Sequence, residues 1–320
     1  MLSVRGLRVG TDDGQIVRGV DLDVAPGEVV GLVGESGCGK TTLGLASAGL
    51  LAPGVRVLDG WVELDGERIV DAKVDRTGPL RGDRIGFVPQ DPFGALDPLR
   101  HVGPQLARPL RLHRGLSQAA ALDRVCELLA TVGMGDPKAL VRKYPHELSG
   151  GQLQRAVIAS ALSTEPKLLI ADEPTSALDV IVQSAVLDAL LKLVHEVGAA
   201  VLLITHDMGV VAQTTTRTAA MYAGAIVEVG PTEALLERPR HPYVAGLLAS
   251  LPRLSDEHER LFAIPGNPPG LPGPLWPCAF APRCPRATQV CLSEEPNVDA
   301  GAAHAFACHH PLDAGALVGG

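Results

Sequence analysis

The stretch from Val29 to Ser47 constrains this chain more than any other. Gly34-Glu35-Ser36-Gly37-Cys38-Gly39-Lys40-Thr41 fits the G-x-x-x-x-G-K-[ST] pattern at every fixed position. The apolar run Val29-Val30-Gly31-Leu32-Val33 leads in as a buried strand should, and Thr42-Leu43-Gly44-Leu45-Ala46-Ser47 leads out as a helix. Glycines let successive N–H groups turn inward around phosphate oxygens, and the helix adds its positive N-terminal dipole. Lys40 is placed to reach the β- and γ-phosphates, and Thr41 to hold Mg²⁺ through its hydroxyl. A glycine-rich turn would be the bland reading; strand and helix in the right order favour a nucleoside triphosphate, gripped from Gly34 to Thr42.

The flanking segments predict an α/β fold. Up to about residue 30 apolar and polar positions alternate, as in Leu7-Arg8-Val9 and Val20-Asp21-Leu22-Asp23-Val24, with turns at Asp13-Gly14 and Pro26-Gly27. This pattern suits half-buried antiparallel strands, and Trp61-Val62-Glu63-Leu64 repeats it. Arg84 to Val88 is a short apolar strand before Pro89-Gln90. Residues 91–160 turn helical in character, with Ala121, Val125, Leu128 and Leu129 on one face, and read as an insertion. Leu168 to Asp172 and Val201 to Ile204 are continuous apolar strands. Between them Val182, Val186, Leu190, Leu193 and Val197 form a helical stripe stopped by Gly198. Strand–helix–strand alternation implies a parallel sheet with its ligand at the strand C-termini. Proline and glycine rise after residue 231, most densely over Ile264 to Pro274, which predicts an irregular tail. The expected division is a nucleotide-binding domain over 1–230 and a C-terminal extension over 231–320.

Composition narrows the function classes. Hydrophobic residues make up 46% of 320, enough for a sizeable core, but aromatics only 3%, so Leu, Val, Ile and Ala must fill it. The net charge of −8, with Lys and Arg scattered, argues against a nucleic-acid-binding stripe. No apolar run approaches the ~18 residues of a membrane span. The first residues lack the apolar core of a signal peptide. A cytoplasmic chain is expected, resting on something in the membrane.

Two further motifs carry chemistry. Asp172-Glu173 closes a buried strand; the aspartate can order Mg²⁺ and the glutamate can polarise an attacking water. Leu148-Ser149-Gly150-Gly151-Gln152 opens a helix and forms a second anion-binding N-terminus. One nucleotide does not need two such ends, so the second suits a nucleotide held by a partner. Cys278, Cys284, Cys291 and Cys308 fall within the last 43 residues. In a reducing compartment they suggest a metal site before disulfides. Four thiolates suit a [4Fe–4S] cluster, with zinc as the alternative, in which His304, His309 or His310 could replace a cysteine. An unliganded tail is the bland reading. Cys38 occupies a variable loop position and reads as a filler.

Gly34–Thr41, Gln90, Leu148–Gln152, Leu169–Glu173, Ser176-Ala177-Leu178-Asp179 and His206 together resemble the ATP-binding subunit of an ABC transporter, in family order. The resemblance implies a head-to-tail dimer with two ATP molecules sandwiched between Lys40-type loops and Ser149-Gly150-Gly151-type caps. It makes Glu173 the general base and gives His206 a γ-phosphate contact. Gln90 becomes a γ-phosphate sensor that joins Thr41 and Asp172 around Mg²⁺, and Asp179 links the two sites. The family stacks adenine on an aromatic near Val9-Gly10-Thr11, yet none precedes Trp61 here. Weaker selection of ATP over GTP is therefore expected, and comparison of the two dissociation constants tests it.

Gln90-Asp91-Pro92-Phe93-Gly94-Ala95-Leu96-Asp97-Pro98, Tyr144-Pro145-His146-Glu147, Thr205 to Val211 and His241-Pro242-Tyr243 are similar to the oligopeptide/dipeptide importers. So is the cysteine pattern of the tail. That resemblance implies a second related ATPase, two permease subunits and an extracytoplasmic solute-binding protein. Peptide or nickel-like solutes are the cargo it implies. The alternative is a soluble ATPase of the same superfamily acting on nucleic acid or ribosomes.

Overall fold

The computed structural model describes residues 1–176, 178, 180–251, 262–273, 275–298 and 302–313. Chain order begins with strands β1 (Leu2–Thr11), β2 (Gly14–Val24) and β3 (Val29–Val33), then helix α1 (Lys40–Ala48) and strands β4 (Arg56–Leu64), β5 (Glu67–Asp71) and β6 (Ile85–Val88). The helical insertion follows as α2 (Val102–Leu106), α3 (Arg108–Arg114), α4 (Gln118–Thr131), α5 (Pro137–Leu140) and α6 (Gly150–Leu162). Next come β7 (Leu168–Asp172), α7 (Val180–Val197), β8 (Ala200–Ile204), α8 (Met208–Thr214), β9 (Arg217–Tyr222) and β10 (Ala225–Pro231). The extension contributes α9 (Thr232–Glu237), α10 (Pro242–Ala249), α11 (Gln289–Ser293) and the two-residue strand β11 (Ala305–Phe306).

Among the described residues the strands form two sheets. One is antiparallel, in the order β2-β1-β4-β5. The other runs β11-β10-β9-β3-β8-β7-β6, parallel from β6 to β9 and antiparallel at β10 and β11. All five residues of β7 and all five of β8 are buried, as a sheet covered on both faces requires. Their registers align Ala171 with both Val88 and Leu203, and Asp172 with Ile204. The strand C-termini therefore reach one edge together, and the residues just beyond β3, β6, β7 and β8 gather there.

The insertion folds around the face that its periodicity marks. Ala121, Val125, Leu128 and Leu129 of α4 are buried, and the Ser117 side chain caps the helix by accepting from the Ala120 N–H at 3.2 Å. In α7, Val186, Leu190 and Leu193 are buried on the same core, with Val182 packed beside it. A Cβ on Gly151 of α6 would collide with Val182 Cγ1, so only glycine lets these two helices approach so closely.

Residues 262–273 are irregular, as expected, but the extension also holds α9 and α10, which the proline-rich pattern does not predict. α10 buries Pro242, Tyr243, Val244, Ala245, Gly246 and Leu248, so it carries no amphipathic stripe to signal a helix. Its aromatic ring joins a small core with Val33, Tyr222, Met208 and Phe280. Tyr222, Tyr243 and Phe280 pack together in tilted and edge-to-face contacts with centroids 4.6 to 5.5 Å apart, worth about 0.5–1.5 kcal/mol each beyond their area. β11 then pairs Ala305 and Phe306 with Val229 and Glu228, adding the tail to the sheet edge. Among the described residues no helix is long and apolar enough to cross a membrane.

Candidate nucleotide site

The loop between β3 and α1 is shaped by two glycines. A Cβ at Gly34 would run into the Met221 carbonyl, and one at Gly39, where φ is +105°, would stand 3.0 Å from the Ile16 carbonyl oxygen. Lys40 is only 5% exposed. Its ammonium curls back over the loop and donates to the carbonyls of Gly34 (2.7 Å) and Glu35 (3.0 Å). Cys38 packs beneath with its sulfur 3.9 Å from that ammonium. Burial pushes the Cys38 thiol up, and Lys40 opposes the shift only in part, so the group is a packed thiol at neutral pH.

β7 brings Asp172 to this loop, where its Oδ1 accepts from the Thr41 hydroxyl at 3.2 Å. Asp172 is buried, and that burial raises its pKa against the lowering effects of the Thr41 hydrogen bond and Lys40. Two adjoining oxygen donors, one an acid that burial destabilises as an anion, fit a hard divalent cation arriving with a triphosphate.

Glu173 follows in the left-handed region (φ +45°), with its N–H continuing the β8 ladder onto the Ile204 carbonyl at 2.8 Å. The turn aims its carboxylate between two neighbours. Gln90 Nε2 donates to Oε2 at 3.0 Å, and His206 Nδ1 lies 3.0 Å from Oε1. Asp207 caps α8 by accepting from the N–H groups of Gly209 and Val210, and its other oxygen accepts from Gln183. That cap fixes the strand-end turn which presents His206. Lys40, Thr41, Asp172, Glu173, Gln90 and His206 thus meet at one edge, from segments up to 166 residues apart in sequence (40 to 206).

The Leu148–Gln152 segment stands apart from these six. Leu148 is buried, Ser149 is exposed, and Ser149 and Gln152 hydrogen-bond to each other's N–H groups at 3.3 and 3.1 Å. This capping box fixes the start of α6 and leaves its N-terminus facing outward. Asp179 lies outside the described residues.

In the tail all four cysteines are free thiols. Burial raises the pKa of Cys278, Cys284 and Cys308, the last to about 11, and neighbouring thiols add to each shift. The Cys278 N–H donates to the Cys291 carbonyl at 3.1 Å. Among the described residues, however, no three His, Cys, Asp or Glu side chains form a metal-ligand set, so the cluster expectation is not met by an assembled site. The histidines of the zinc alternative are engaged elsewhere through Nε2. His304 contacts the Glu228 carboxylate (2.7 Å), His309 the Glu294 carbonyl (3.0 Å) and His310 the Thr288 hydroxyl (2.7 Å).

Pattern reading misses one group altogether. Arg283, from the tail, donates through both terminal nitrogens to the Glu35 carboxylate at 2.7 and 3.0 Å, while the Tyr243 hydroxyl accepts from the Glu35 N–H at 2.8 Å. The sequence signals near it are an acidic residue at a variable loop position and the His241-Pro242-Tyr243 stretch, and neither points to Arg283.

A phosphate loop, a strand-end Asp-Glu pair and a capped glycine-rich helix start, on this two-sheet scaffold with a helical insertion, define an ATP-binding cassette. The chain belongs to the ABC transporter family: the model described as "ABC transporter" matches residues 17–176, and "Oligopeptide/dipeptide transporter, C-terminal region" matches 227–291. A putative peptide import ATP-binding protein of Brucella ovis is 46% identical over 92% of both chains. The oligopeptide transport ATP-binding protein OppD of Salmonella typhimurium is 40% identical, covering 98% of this chain and 94% of that one. Among solved structures, a dimeric post-hydrolysis state of the ATP-binding cassette MJ0796, bound to ADP and Pi, superposes with a TM-score of 0.64 at 29% identity. It covers 72% of this chain and 99% of that chain. The chain is an ATPase of this family, and the alternative of a soluble enzyme acting on nucleic acid or ribosomes finds no support among these relatives.

Proposed function

We propose that this chain is the ATP-hydrolysing subunit of an importer for di- or oligopeptides or similar small solutes. It works at the cytoplasmic side of the membrane. The observation that carries the reading is the meeting of Lys40, Thr41, Asp172, Glu173, Gln90 and His206 at one sheet edge, in a chain similar throughout to peptide import subunits.

In this reading the loop from Gly34 to Thr42 cradles the triphosphate and Lys40 exchanges its two carbonyls for phosphate oxygens. Thr41 and Asp172, with Gln90, would hold Mg²⁺, which would screen the phosphate charge. Glu173 accepts a proton from the attacking water once His206 and Gln90 turn to the γ-phosphate. The Leu148–Gln152 helix start caps a nucleotide on a second, related ATPase. The exposed side chains of Phe93 and Leu99 in the insertion supply apolar contact for permease subunits. A heterodimer, two permeases, an extracytoplasmic solute-binding protein and a [4Fe–4S] cluster or zinc on Cys278, Cys284, Cys291 and Cys308 are finer parts of the same proposal. The cysteine spacing of the tail is what suggests the last, and the iron and zinc content of anaerobically purified protein tests it.

Purification of the tagged chain in mild detergent, with partners identified by mass spectrometry, tests the whole. Permeases and a second ATPase are the expected companions; ribosomal or DNA-bound partners without membrane subunits would overturn it. Glu173→Gln is expected to retain ATP and lose about 10²–10⁴-fold in turnover. Undiminished turnover removes Glu173 as the base.

A further inference from the structure

We propose that the C-terminal extension is a working part of the nucleotide site, with Arg283 and Tyr243 as positioning residues that act on the phosphate loop through Glu35. The inference rests on reading Gly34–Thr42 as the ATP loop. Glu35 is held at three points. Its carboxylate takes the two-pronged Arg283 contact, its N–H donates to Tyr243, and its carbonyl accepts from Lys40. One residue thus joins the tail to the lysine expected to meet phosphate. A shift of Glu35 moves a carbonyl that Lys40 rests on.

Arg283 is built into its place. It is 8% exposed, and its remaining donors reach the Pro265 carbonyl at 2.9 Å and the Tyr222 hydroxyl at 3.3 Å. It ends a short 3-10 turn, Ala281–Arg283, whose first N–H donates to the Cys278 carbonyl at 3.0 Å. The planar guanidinium matches a carboxylate in a way lysine cannot, so geometry as well as charge is specified. Tyr243 is buried against Tyr222 and Phe280, which leaves its hydroxyl one direction to face. The same tail touches the β1–β2 turn, where a Cβ on Gly14 would lie 3.1 Å from Pro272 Cβ. The extension therefore flanks the site at both the β1–β2 hairpin and the phosphate loop.

The test is steady-state ATPase kinetics and binding of radiolabelled ATP by the full chain in its complex. Arg283→Met is expected to raise KM and the ATP dissociation constant about tenfold while kcat stays within about twofold. Arg283→Lys, which keeps the charge and loses the fork, should fall between, and decides the matter if the methionine variant does not fold. The pair Glu35→Met with Arg283→Met removes the stranded charge. It should recover thermal stability without recovering KM. An unchanged KM in both Arg283→Met and Arg283→Lys, whatever the change in stability, overturns the inference. Lys40→Ala separates the two readings: if it leaves ATP binding intact, the ATP-loop assignment itself fails.

Discussion

At the residue scale, the site is marked by side chains occupied with one another. Lys40 is bound by carbonyls of its own loop, and both oxygens of Glu173 are engaged. Cys38 offers a direct probe. Because burial raises its pKa, it should react with iodoacetamide more slowly than an exposed thiol at pH 7, and more slowly still with ATP bound. Fast labelling that ATP leaves unchanged would contradict both the packing and the position of the nucleotide.

At the element scale, two contacts carry measurable stability. Gly151→Ala forces a methyl into Val182 and should cost about 1–3 kcal/mol, read as a fall in Tm. The N-cap of α10 makes stability depend on pH. His241 is buried, and burial pushes its pKa down from 6.5 to about 3. Below pH 6.5 the unfolded chain takes up a proton that the folded one refuses. Stability thus falls as pH drops from 6.5 towards 3, by up to about 1.4 kcal/mol per pH unit. Its Nδ1 accepts from the Tyr243 N–H at 3.0 Å, a task asparagine can perform. His241→Asn should therefore flatten the Tm-against-pH curve between pH 6.5 and 5, and an unaltered slope would place the titration elsewhere.

The elements that could be read in advance are those whose burial is periodic. The α4 face of Ala121, Val125, Leu128 and Leu129 and the apolar runs of β7 and β8 declare themselves because one side, or both, must be apolar. The Gly34–Thr41, Asp172-Glu173 and His206 positions are legible because a strand end and a fixed spacing bring each to the same edge. α10 has no polar face to set a period, and Arg283 sits among prolines and cysteines with no spacing relation to Glu35. Such a contact belongs to the folded surface alone.

At the scale of the whole molecule, the extension completes the core. Glu228 shows how: it is buried within β10 and accepts from the N–H groups of Arg240 and His241 and from His304, gathering two stretches of the tail onto one carboxylate. A chain ended at residue 231 would expose Val33, Met208 and Tyr222 to water and strand Glu228 without donors. It should be recovered as aggregate, or at a markedly lower Tm than the full chain; an unchanged Tm would mean that the tail rests on a self-sufficient domain.

The Glu35–Arg283 pair also has a meaning in time. Its members stand 248 residues apart, so during synthesis the phosphate loop leaves the ribosome long before the arginine that steadies it has been added. A nascent chain can pair β1 with β2 and even close the parallel sheet, yet its loop stays unclasped until the cysteine-bearing end has emerged and docked.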